Sequence, residues 1–255
     1  MNSLNKITFI LFFFSSYSLI QASDINPLSA VELLEINQKY SELERTTTLQ
    51  IEEKPDDVSF YSRRGDVRLF LGKFSESRND YEKMIQLNPK LNVSHWRLGI
   101  AYFYLSDFSK AADQFEIYHQ YDQVDRENGI WRFMSQYKEH GLEYARKRLL
   151  IYDKDDRPPY PWLYLMFAGA LSPDEVFQKI KEEAFPNRYE TRVLFHANLY
   201  VGIYLELTGS SPNKALHYLS RAVRNEYGKS SGTYMWQVAR LHHSNLFDSI
   251  KKSRN

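Results

Sequence analysis

The sequence contains no cysteine. That excludes a disulfide framework, a thiol nucleophile and a thiolate-bound metal, and it is compatible with an oxidising compartment without requiring one. Glycine and proline are scarce, 10 and 9 in 255 residues, too few for a loop-rich β protein or a disordered chain. No charge of one sign dominates. The 33 basic and 32 acidic residues leave a net charge of +1, which argues against a dedicated nucleic-acid binder. Chemical frames are missing too. No G-x-S-x-G turn exposes a serine, no glycine-rich loop is suited to cradling phosphate, and no two histidines bracket a glutamate at metalloprotease spacing. His95, His119, His140, His196, His217, His242 and His243 therefore read as core or surface histidines. Asp153, Asp155 and Asp156 are dense enough for calcium but lack the glycine and the closing glutamate of the twelve-residue loop, and read as a solvated loop. Neither a metal nor a cofactor is expected.

Aromatic residues, by contrast, are abundant: 15% of the chain, with 19 tyrosines and 16 phenylalanines. That suits broad helix–helix contacts made by rings with polar tips. Part of this content repeats. Gly65 recurs as Gly99, Leu71 as Leu105, Phe74 as Phe108 and Tyr81 as Phe115, each pair 34 positions apart. This is the period of the tetratricopeptide repeat, a helix–turn–helix unit that must stack on neighbours to bury its apolar face. Gly65 and Gly99 let the first helix of each unit lie close to the second. Tyr81 and Phe115 plug the crossing, and the small Ala111 and Ala112 suit it. Gly72 fits a left-handed turn; in the second copy Ser106 and Asp107 stand there, with Asp107 or Ser109 as candidate N-cap. The predicted fold is all-α, a helical solenoid with capping helices at both ends.

In chain order, residues 1–23 read as a cleaved signal peptide, with Lys6 before the apolar run Ile7–Phe14 and small residues at 22–23. An uncleaved anchor is the alternative. No cysteine ends the run, so a lipid anchor is not expected, and the mature chain is expected to be soluble in the periplasm or outside the cell. Residues 24–54 form an N-terminal helical cap or dimer segment, capped by Asn26 or Ser29. Residues 55–125 hold the two clear repeats, and residues 126–250 hold degenerate helical pairs and a last covering helix. Within that third part we expect helices over 128–137, 142–152, 161–168, 174–184, 191–209, 212–224 and 232–247. Ser172-Pro173-Asp174-Glu175 is a strong helix start.

The stretches Trp131–Tyr137, Glu143–Leu150, Pro161–Ile180 and His196–Val223, together with the two repeats, resemble the bacterial outer-membrane tetratricopeptide lipoprotein family NlpI. The resemblance covers about Val58 to Leu241. It implies a homodimeric helical scaffold of the periplasm, an adaptor that presents peptidoglycan hydrolases to a tail-specific protease. The absent lipidation cysteine departs from that pattern.

Catalysis is not expected; the candidate site is a surface. With Gly65 and Gly99 taken as the eighth repeat position, Ser62, Asp66, Leu69 and Phe70 line the concave groove in the first unit. Trp96, Ile100, Phe103 and Tyr104 line it in the second. Such an aromatic groove suits an extended or helical peptide of another protein. Packing of the same rings under the third unit is the alternative, as is an enzyme site between Trp131 and Tyr160.

Overall fold

A computed structural model describes residues 25–209 and 211–253. The expected signal peptide lies outside the described residues. The regular structure among those described is all helical, without a strand. The first helix, α1 (Ala30–Glu53), opens on a capping box: the Ser29 side chain accepts from the Glu32 backbone and the Glu32 carboxylate accepts from Ser29 N–H. Pro55 and its neighbours break the chain, and Asp57 caps α2 (Val58–Phe70). A two-to-three-residue turn leads to α3 (Phe74–Leu87), a 3-10 turn follows over Pro89–Ser94, and α4 (Trp96–Tyr104) and α5 (Phe108–Tyr121) form the next pair.

The repeated residues do repeated work. A Cβ on Gly65 would lie 2.5 Å from the Tyr81 ring, and one on Gly99 would lie 2.7 Å from the Phe115 ring. Each ring sits sixteen positions after its glycine and is fully buried. The turns match as well. Gly72 has φ +75°, and Ser106 takes φ +61° at the equivalent place, a left-handed conformation that a residue with a Cβ rarely adopts. Charge locks the first pair. Asp80, almost fully buried on α3, accepts from both Arg64 and Arg68 of α2, at 2.7 and 2.8 Å. Arg68 then reaches Glu44 of α1 at 3.0 Å, so α1 is held to the pair.

Beyond α5 the helix pairing becomes irregular for a visible reason. Helix α6 (Arg126–His140) is capped by Asp125 and begins two residues before the expected start. Helix α7 (Leu142–Lys147) ends five residues before the expected boundary at 152. The chain then runs without regular structure to α8 (Tyr160–Ala168). The glycine of this unit, Gly129, is therefore covered not by a ring from a partner helix but by Tyr152 from that irregular segment and Tyr164 from α8. Asp156 corrects the expectation of a solvated loop: its side chain is 3% exposed, and it accepts from the backbone N–H of Arg126 at the start of α6.

Helix α9 (Pro173–Glu182) starts at the expected capping box of Ser172 and Glu175. Helix α10 (Asn187–Leu207) starts four residues earlier than expected and pairs with α11 (Pro212–Arg224), with Gly202 against Leu219. A short α12 (Glu226–Ser231), absent from the sequence reading, leads to α13 (Tyr234–Ser253). This last helix packs on α11 and also returns to α2 at the other end of the molecule. Gln237 donates to the Tyr40 hydroxyl at 2.8 Å, and Arg240 donates to the carbonyl of Phe70. No helix among the described residues is long and apolar enough to cross a membrane.

Candidate functional site

The expected groove is not open. α13 lies in it, and its side chains take the places left for a partner. Tyr234 packs edge-on against Phe70 at 5.2 Å and against Trp96 at 4.9 Å, and its hydroxyl lies 3.3 Å from that of Tyr81. Tyr104 stacks on Phe74 at 4.8 Å and shares a hydrogen bond with His242 of α13. Phe103 is buried against Phe108 and Trp131. Asp66 is engaged too, accepting two hydrogen bonds from Arg97 at 2.7 and 2.9 Å and one from Tyr81 at 2.7 Å. Burial pushes its carboxyl up against these stabilising contacts. Ser62 stays half-buried on α2. Phe70, Trp96 and Tyr104 thus form the seat of the chain's own last helix. The physical reason is that an inner face this aromatic is too apolar to leave wet.

Of the expected groove residues, Trp96 also reaches an open cleft. This cleft, about 280 Å³, lies where the repeat pairs, the irregular middle and the C-terminal helices meet. Each wall has a local cause. The start of α6 supplies Asp125, Glu127 and Trp131. Asp125 is held there because it caps the helix, accepting from Glu127 N–H at 3.0 Å and from the Asn128 amide at 2.8 Å. The irregular segment supplies Arg157, drawn in by Asp156, Glu127 and Asp125. Arg192 and His196 lie one turn apart on α10 and face the same space, and Tyr227, Tyr234 and Met235 come from α12 and α13.

The electrostatics of the cleft are uneven. Burial and the neighbouring charge of Glu127 push the Asp125 carboxyl up to about 7. Burial likewise raises Glu127, although the Tyr200 hydroxyl donates to it at 2.5 Å. Tyr200 keeps its proton because burial raises it far above the ordinary tyrosine range, and it also accepts from the Trp131 indole at 3.1 Å. His196, sharing a hydrogen bond with the Tyr160 hydroxyl at 2.8 Å, is held neutral: burial, then the charges of Arg157 and Arg192, lower it to about 3. Arg192 stacks loosely over Tyr227, with no carboxylate in ion-pair reach among the described residues. The arrangement can hold a ligand that carries charge on an apolar stem, and Asp125 can exchange a proton near neutrality.

Sequence reasoning placed Trp131 in a degenerate helix and left Asp125, Glu127, Arg157, Arg192 and His196 out of the candidate site. The one local signal was Asp125-x-Glu127 at a helix start. Arg157 and Arg192 lie 30 and 65 positions beyond Glu127 and meet it only through the fold. No protein-family model matches the chain.

Proposed function

We propose that this protein is an exported, non-catalytic scaffold that binds another polypeptide. In this reading the fold is a tetratricopeptide array of two regular and several degenerate units, closed by capping helices. The matching of Gly65 to Tyr81 and of Gly99 to Phe115 supports it. In the same reading, which extends the resemblance to the NlpI family, the protein acts in the periplasm as an adaptor for an envelope protease or a peptidoglycan hydrolase. The observation that carries the binding role is the cleft itself: apolar rings beside charged groups, open between three parts of the fold. Homodimerisation belongs to the same reading. Val31 and Leu34, one turn apart on α1, are 64% and 56% exposed and form an apolar patch suited to a second copy.

The test is a photo-crosslinking residue placed at Arg192 in cells. The expected result is an adduct with an identified envelope protease or hydrolase that is absent from the exposed control position Gln86. Equal labelling at the two positions, or none at Arg192, overturns the assignment. A second reading is favoured by one observation, the Asp125 carboxyl poised near neutrality beside Glu127. Hydrolysis of an envelope substrate by the purified protein alone, lost in Asp125→Asn, would establish an enzyme instead.

A further inference from the structure

Asp125 and Glu127 face the cleft with little positive charge to balance them. Among the described residues, Arg157 is the only cation within ion-pair distance of either. Its contact with Asp125 is 3.9 Å and that with Glu127 is 3.4 Å, while its shortest, 2.9 Å, goes to Asp156. Three carboxylates therefore share one guanidinium. Burial raises the cost of leaving them so. The rings of Trp96, Trp131, Tyr227 and Tyr234 line the same space. Carboxylates set beside aromatic rings are the chemistry that recognises an ammonium or guanidinium group on an apolar stem. The cleft of about 280 Å³ holds far more than a single water, whose share of liquid volume is about 30 Å³. An anionic ligand fits less well, because Arg157 is already engaged by three carboxylates, which leaves Arg192 to favour it against Asp125 and Glu127.

We propose that the cleft receives a lysine or arginine side chain of the partner polypeptide, with its cationic head between Asp125 and Glu127 and its stem along Trp96 and Tyr234. The proposal rests on the reading that the protein binds another polypeptide. Arg192, left without a carboxylate, then donates to the carbonyls of the bound segment.

The experiment uses the purified mature chain and nonapeptides with blocked ends that differ only at a central lysine, arginine, glutamine or glutamate. Calorimetric titration is run at pH 8, where Asp125 is mostly ionised, and at low salt. The lysine and arginine peptides are expected to bind at least tenfold tighter than the glutamine and glutamate peptides. Asp125→Asn is expected to weaken the lysine peptide about tenfold or more, the size of a charge-assisted hydrogen bond. Asparagine caps helices as well as aspartate does, so α6 remains intact, which circular dichroism checks. Equal binding of all four peptides, or undiminished lysine-peptide binding by Asp125→Asn, overturns the proposal. The scaffold reading is judged separately. Crosslinks at position 192 that persist while the peptides fail to discriminate would sink the cation site alone. Their loss with peptide discrimination intact would sink the scaffold alone.

Discussion

Replacing Gly99 by alanine tests the helix crossing directly. In an exposed helix this change stabilises by about 0.5–1 kcal/mol, because glycine loses more backbone freedom on folding. Here the new methyl would lie 2.7, 2.9 and 3.0 Å from three atoms of the Phe115 ring. The ring cannot swing aside. It is fully buried and stacks on Trp131 at 6.2 Å, and Trp131 is itself held by Tyr200. Overpacking of this kind costs about 1–3 kcal/mol. At the middle of both ranges the crowding outweighs the backbone gain, leaving a net loss of about 1 kcal/mol. For a chain of this size each kcal/mol moves the melting temperature by about 2–4 °C, so Gly99→Ala should lower it by about 2–4 °C. Phe115→Leu alone should also destabilise, by loss of ring contacts. The double variant should be less damaged than the sum of the two, because leucine vacates the space that the methyl needs. A thermal-melt double-mutant cycle measures this coupling. A Gly99→Ala protein that melts higher than wild type, or a cycle with no coupling, would refute the close approach of α4 and α5.

Further outcomes follow from other contacts. Asp80→Asn should cost about 3 kcal/mol in denaturant unfolding, because Arg64 would be left in a mostly buried site without a carboxylate and Arg68 with Glu44 alone. For Asp125 the sign is unusual. Its folded carboxyl is raised to about 7 from an ordinary value of 3.8, so the folded state binds more protons between those limits and Asp125 destabilises the fold as pH rises through that window. Unfolding measured from pH 4 to 8 should therefore show Asp125→Asn gaining on wild type, by up to about 1.4 kcal/mol per pH unit, and levelling off above about 7; a constant difference would contradict this. Ser172→Ala should remove one side of a capping box and cost about 1 kcal/mol, with faster amide exchange confined to α9 and its neighbours.

The helix pairs α2–α3 and α4–α5 were legible in the sequence because their grammar is local. A glycine, a ring sixteen residues later and a turn between them can be read from one strip of chain. The Ser172 start was legible for the same reason: a serine, a proline and a glutamate at fixed offsets form a cap by themselves. What could not be read was which surface covers which. The rings at Phe70, Trp96 and Tyr104 were read as lining a groove, but nothing near them in the chain says that Tyr234, more than a hundred residues on, packs against Phe70 and Trp96. Asp156 shows the same limit. It stands in a polar run that looks solvated, yet the free N–H at the start of α6 draws it inward. The cleft was illegible for a further reason: its carboxylates and its arginines come from different parts of the chain and have no shared spacing to betray them.

The return of α13 to α2 sets this helical array apart from an open repeat array. In an open repeat array each unit touches only its neighbours, so units can be added, deleted or melted one at a time. Here the hydrogen bond between Tyr40 and Gln237 ties residues 197 positions apart. Such a closure fixes the number of units as firmly as a clasp fixes the length of a bracelet. Inserting or removing one repeat would leave the final helix out of register with its seat. Helices α1 and α13 should therefore unfold together rather than fray apart.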